Sequence, residues 1–172
     1  MLSLSDNEFS VLSFLVRNFT ERLTIRNMAQ RLDFSAAGVF NILKKLEKQD
    51  IVKGEKLGTG LFYSINFENK IAVHIAEIVL LYSDDKISMN TEQFRQAKAA
   101  ISDKKNLLLI VDNVTVLNLT IPNMDVITKT EEEFTDLLRR KDSESLQILK
   151  KGTVLFGEEK FAEIIKNCTQ RF

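Results

Sequence analysis

With 172 residues, 44% of them hydrophobic, the chain can bury one large core or two small ones, and its composition excludes general disorder. Its 24 Lys and Arg balance 24 Asp and Glu, which excludes a protein that grips nucleic acid through an overall basic charge. The single cysteine, Cys168, excludes an intramolecular disulfide and a cysteine-built zinc site, and no apolar run approaches the roughly 18 residues of a membrane span. The opening MLSLSDNEF carries neither a basic n-region nor an apolar h-region, so a soluble, cytoplasmic protein with no membrane partner is expected. Residues 1–67 hold nine basic and seven acidic side chains, and residues 68–172 fifteen and seventeen, a small charge asymmetry between the halves.

Ser5 and Glu8 have the spacing of a capping box, and Phe9, Leu12, Val16 and Phe19 then recur at intervals of three and four. This first helix reads as scaffold. Thr24 is suited to cap a second helix with Ile25, Met28, Ala29 and Leu32 inward and Arg26, Gln30 and Arg31 outward. Ser35 is suited to cap a third, in which Val39, Ile42, Leu43 and Leu46 form the buried stripe. Ala36, Ala37, Phe40, Asn41, Lys44, Lys45 and Lys48 are left on the remaining surface. Ile51 to Lys53 and Leu61 to Phe67 read as two strands, with Gly54, Gly58 and Gly60 bracketing the turn between them.

From about residue 6 to residue 67 this order resembles the winged helix-turn-helix domains of bacterial and archaeal transcriptional regulators, including the MarR and ArsR types. The resemblance implies double-stranded DNA as the partner. Ser35, Ala36, Ala37 and Asn41 then face base edges, while Arg26, Lys44 and Lys45 serve the phosphates. Lys53, Lys56 and Thr59 bring donors to the backbone or the minor groove. Asn41 is the strongest base reader of the set, because its amide can pair bidentately with adenine. Winged helices also serve as protein-interaction adaptors whose third helix is merely packed, and Glu47, Asp50 and Glu55 near the proposed surface keep that alternative open.

Beyond the hairpin, Ile71, Ile75, Ile78 and Tyr82 keep helical spacing from about Asn69 to Ser83, which suits either a dimer interface or a bridge between domains. His74 on the same face is expected to be packed or partly buried, and one His with one Cys cannot build a zinc site. The polar run Ser83 to Asn90 marks a boundary, dividing the chain into residues 1–68, a connecting segment 69–90, and residues 91–172. In the last part the pattern predicts a helix over Thr91 to Ser102 and strands at Leu107 to Val111, Val114 to Leu119 and Met124 to Ile127. A turn falls at Ile121, Pro122 and Asn123. Thr130 and Glu133 form a second capping box; Ser143 to Lys151 is a helix closed by Gly152; Thr153 to Phe156 is a strand; Phe161, Ile164, Ile165 and Cys168 stripe a final helix.

The segments MDVITKTEEEFTDLLRRKD and LQILKKGTVLFGEEKFAEII resemble the closing part of a small nucleotidyltransferase fold, over roughly residues 106–167. Active members carry a Gly-Ser turn, an Asp-x-Asp pair and a third carboxylate that together hold two metal ions. Asp125 has the position type of the third carboxylate, but the chain has no Asp-x-Asp and no Gly-Ser before a strand in this half, and Asp112 stands alone. The expected fold class is therefore α+β, a winged helix followed by a small α/β nucleotidyltransferase-like domain without catalytic or metal residues and without a cofactor. The expected function is a sequence-specific, homodimeric transcriptional regulator. A nucleotidyltransferase and a protein-interaction adaptor are the alternatives.

Overall fold

A computed structural model describes residues 4–82, 94, 96–113 and 120–169. The chain divides into two compact units, Met1–Val79 and Leu80–Phe172. The polar run Ser83 to Asn90 and the strand expected over Val114 to Leu119 lie outside the described residues.

The first unit contains α1 (Asp6–Arg17), α2 (Ile25–Leu32), α3 (Ala36–Lys48), β1 (Val52–Leu57) and β2 (Gly60–Ile65). Each helix starts where a side chain can satisfy its free amides: Ser5 and Glu8 form the capping box of α1, Thr24 caps α2 and Ser35 caps α3. Val11, Leu12 and Val16 from α1, Met28 from α2, and Val39, Leu43 and Leu46 from α3 are buried, as are Ile51, Val52 and Ile65 at the base of the hairpin. The hairpin is antiparallel from Val52 opposite Ile65 to Leu57 opposite Gly60, and a bridge from Thr24 to Phe62 adds a third strand segment beside it. Two residues turn the chain, with Gly58 at φ +58°.

Two expectations in this unit are corrected. The first strand runs on past Lys53 to Leu57, so Gly54 belongs to the strand and not to the turn. A Cβ at residue 54 would stand 2.5 Å from the Glu47 carboxylate and 3.0 Å from the Tyr63 ring, so closeness to α3 and β2 accounts for that glycine. The helix after the wing, α4 (Lys70–Leu81), buries Ala72, Ile75, Ala76, Val79 and Leu80, while Ile71, His74, Ile78, Leu81 and Tyr82 are exposed. His74 is therefore not packed inside, and its Nδ1 lies 2.8 Å from the Glu77 carboxylate.

The second unit contains β3 (Ala97–Ser102), β4 (Asn106–Val111), β5 (Asp125–Lys129), α5 (Glu131–Arg139), α6 (Ser143–Lys151), β6 (Thr153–Phe156) and α7 (Glu158–Thr169). The four strands lie in the order β5-β4-β3-β6, with β4 and β5 parallel and the other pairs antiparallel. Leu107 to Val111 are all buried, the continuous apolar run of a strand covered on both faces. Ala100, Leu107, Leu109 and Val111 pack with Phe94 in one cluster. Phe134 and Phe161 from α5 and α7 meet edge to face at 6.3 Å elsewhere in the core.

The helix expected to end at Ser102 is corrected to strand over Ala97–Ser102. Its alanines favour a helix in isolation, but β3 lies between two partners in the sheet, and tertiary pairing overrides that weak preference. Small residues are needed here. Gly157 turns the chain from β6 into α7 at φ +74°, and a Cβ there would come within 2.4 Å of the Lys98 carbonyl oxygen and 2.5 Å of the Ala99 side chain. Gly157→Ala is expected to destabilise the second unit by about 2–4 kcal/mol, through both backbone strain and overlap. A urea titration followed by circular dichroism checks this, and an unchanged midpoint would contradict it.

Candidate nucleic-acid interface

The turn between α2 and α3 is three residues long. Asp33 takes the left-handed conformation at φ 55°, and the Phe34 amide donates to the Ala29 carbonyl at 2.9 Å, closing the end of α2. The Ser35 hydroxyl oxygen then accepts from the Gly38 amide at 3.0 Å and opens α3. With 100° between successive residues, burial of Val39, Leu43 and Leu46 turns Ala37, Asn41, Lys44 and Lys48 to the opposite face. Ala36 and Phe40 lie beside that line, toward the wing. Ser35, Ala36, Ala37, Phe40 and Asn41 are all exposed, so the leading turns of α3 form a surface of small and uncharged groups broken by one aromatic ring.

The cations around this surface fall into two sets. Lys44 pairs with Glu47 at 2.7 Å and holds its ammonium 5.9 Å from the centre of the Phe40 ring. The neighbouring Glu47 carboxylate raises the Lys44 ammonium above the ordinary lysine range. Lys45 reaches to α1, where its ammonium lies 2.6 Å from Glu8. Lys53 pairs with Glu68 at the base of the wing. By contrast, Arg26, Lys48 and Lys56 are exposed and make no ion pair with any described residue. Thr59 is exposed at the wing tip beside Gly58. The interface thus brings Arg26, Ser35, Ala36, Ala37, Asn41 and Lys44 to α2 and α3, and Lys53, Lys56 and Thr59 to the hairpin, while Lys45 is turned toward α1.

Two residues of this region carry roles that sequence reasoning left unassigned. Glu8 reads as a helix cap, and nothing in its spacing links it to Lys45, 37 positions away. Phe40 falls outside the buried stripe of α3, which marks it as an exposed ring without saying what it meets. Glu8 is almost fully buried, with a side chain 5% exposed. Burial is the largest influence on its carboxyl and opposes ionisation, but the Lys45 ammonium together with the Ser5 amide and hydroxyl outweigh it. The group is held below its ordinary range.

In the second unit, Asp125 opens β5 opposite Asn106, exposed at one end of the parallel β4–β5 pair. Asp112 follows the other end of β4 and pairs with Lys98 at 2.6 Å. Asn106 and Asp112 are six positions apart along the chain, so at about 3.3 Å per position the two aspartates stand roughly 20 Å apart. They cannot share a metal. No group of three His, Cys, Asp or Glu among the described residues is placed to hold one, and this donor set does not fit the two-metal cradle of a nucleotidyltransferase. Among the described residues no helix is long and apolar enough to cross a membrane.

Residues 2–59 match the model of the MarR family, a span that covers all three helices and the outgoing strand of the hairpin. Over that span, about a third of the chain, the sequence is similar to the MarR family. Among solved structures, the chain is similar to one described as CymR (YrzC), the global cysteine regulator of B. subtilis. The likeness has a TM-score of 0.35 at 14% identity, over 55% of this chain and 80% of that one. No curated protein matches the chain.

Removing the Lys45 ammonium leaves a buried carboxylate without its cation. Lys45→Ala is expected to destabilise the first unit by about 1–2 kcal/mol at pH 7, between the values for exposed and fully buried pairs. Because the folded pKa of Glu8 is depressed, the stability it contributes is complete above its ordinary pKa of 4.5 and is lost as pH falls through the folded value. The difference between the variant and the parent protein should therefore shrink as pH drops below about 4.5. Thermal melts between pH 3 and pH 7 check this, and a pH-independent difference would count against the assigned pair.

Proposed function

We propose that the protein is a sequence-specific transcriptional regulator that binds duplex DNA as a homodimer, with α3 in the major groove and the β1–β2 wing along the flanking backbone. The observation that carries this reading is the outer face of α3. Ala36 and Ala37 allow close approach, Asn41 stands free to pair with a base edge, and the unpaired Arg26 and Lys48 flank it. The MarR-family match over residues 2–59 supports it. Dimerisation is supported by α4, whose exposed Ile71, Ile78, Leu81 and Tyr82 lie in a stripe with His74 and Glu77 between its apolar ends. A second copy laid antiparallel about a two-fold axis would cover each apolar end with the other.

Binding of duplex DNA by the full chain should weaken with salt, log affinity falling with log salt at a slope of about −0.9 per phosphate neutralised. Arg26→Ala and Lys56→Ala should each make that slope shallower by about one. Asn41→Ala should cost about 1–3 kcal/mol on the preferred sequence and little on others. The footprint should cover two half-sites about 10 base pairs apart, centre to centre. Absence of salt-sensitive duplex binding would sink the reading and favour the adaptor alternative.

The second unit is proposed as a nucleotidyltransferase-like domain that has lost transfer chemistry and serves oligomerisation or sensing. The separation of Asp112 from Asp125 supports the loss of chemistry. A concavity of about 1050 Å³ beside Lys104, Lys105, Glu144, Gln147 and Lys151 supports a sensing role. Incubation with labelled nucleoside triphosphates and magnesium should leave no label on protein or nucleic acid, and metal-dependent incorporation would overturn this part.

A further inference from the structure

We infer that Phe40 is a specificity-determining residue that reads the C5-methyl group of thymine in the major groove, beside the base pair contacted by Asn41. The inference rests on the DNA-binding reading and narrows it. The other large apolar side chains of α3 are directed inward: Val39, Leu43 and Leu46 are buried and Ile42 is half-buried, whereas Phe40 is 40% exposed. It occupies the same stretch of surface as Ala36, Ala37 and Asn41, one helical turn beyond Ala36, so only small side chains precede it along the face that approaches the groove.

The ring is also held in place. Lys44, one turn further on, keeps its ammonium 5.9 Å from the ring centre and is itself fixed by Glu47 at 2.7 Å. A phenyl ring has neither donor nor acceptor, so it cannot read the hydrogen-bonding pattern of a base edge. The apolar group that a base pair presents in the major groove is the thymine methyl. With an amide at Asn41 suited to adenine and a ring at Phe40 suited to thymine, the leading turns of α3 select steps rich in A·T pairs.

The test uses the full chain. Preferred duplexes are enriched from a random pool, and each thymine of the winning sequence is then replaced singly by deoxyuridine, which removes only the methyl. The native protein should lose about three- to fivefold in affinity at one thymine per half-site, the value of one buried methyl group, and little elsewhere. Phe40→Ala should show no loss at that position, and Phe40→Leu, which keeps an apolar side chain, should retain part of it. Circular dichroism and an unchanged salt slope confirm that both variants fold and still hold the backbone. A uniform loss along the scan, or a Phe40→Ala protein with the native sensitivity at the same thymine, overturns the inference while leaving DNA binding intact. Failure to enrich any duplex overturns the DNA reading and takes this inference with it.

Discussion

The pair between Lys45 and the buried Glu8 is the constraint on which the candidate interface depends. Glu8 caps its own helix through Ser5 and at the same time receives the ammonium of α3, so one carboxylate fixes the start of α1 and the middle of α3 together. Rotation of α3 about its axis would break that bond and expose Val39, Leu43 and Leu46. The outward direction of Ala37 and Asn41 is therefore set by a contact on the other side of the helix. A side chain expected from sequence to touch phosphate contributes to the interface in this structure by orienting it.

The same economy of charge shapes how such a surface can bind. Lys44, Lys45 and Lys53 each face a carboxylate, and the chain as a whole is neutral. On the proposed DNA-binding reading, few cations remain to release counterions, so nonspecific affinity should be modest and discrimination among sequences would come from base edges. A surface of alanines, one amide and one ring suits that division. Glu47 has a part in both sides of it, since it neutralises Lys44 while placing that ammonium against Phe40, and the absence of a side chain at Gly54 makes room for it.

Much of the fold was legible because its boundaries are local. The caps at Ser5, Thr24, Ser35 and Thr130 stand in the sequence beside the amides they satisfy, and the wing turn is announced by Gly58. What was hidden is what depends on distant neighbours. The alanines of β3 look helical until β4 and β6 flank them; Gly54 looks like a turn residue until Glu47 and Tyr63 crowd it. On α4, Ile71, Ile75 and Ile78 have the spacing of a single stripe, but Ala72, Ala76 and Val79 supply the rest of the buried face and turn Ile71 and Ile78 outward with His74. Of the candidate surface, the exposure of Ala36, Ala37, Phe40 and Asn41 was legible from the helical period, and the ionic partners were not, because Glu8 and Glu68 approach Lys45 and Lys53 only through the fold.

The second unit shows how strand direction decides chemistry. Because β4 and β5 run parallel, the residue that opens one lies beside the residue that opens the other, and Asp125 meets Asn106. An aspartate at position 106 would have placed two carboxylates side by side there; the asparagine instead turns its amide to Asp103, whose carboxylate also accepts the amides of Lys105 and Asn106. Burial, the largest influence on Asp103, opposes its charge, yet these donors hold it below the ordinary carboxylate range. That carboxylate is engaged in shaping the β3–β4 turn. Among the described residues, the acid groups near the openings of β4 and β5 are thus committed to backbone geometry, as Asp103 is, or stand single, as Asp125 does.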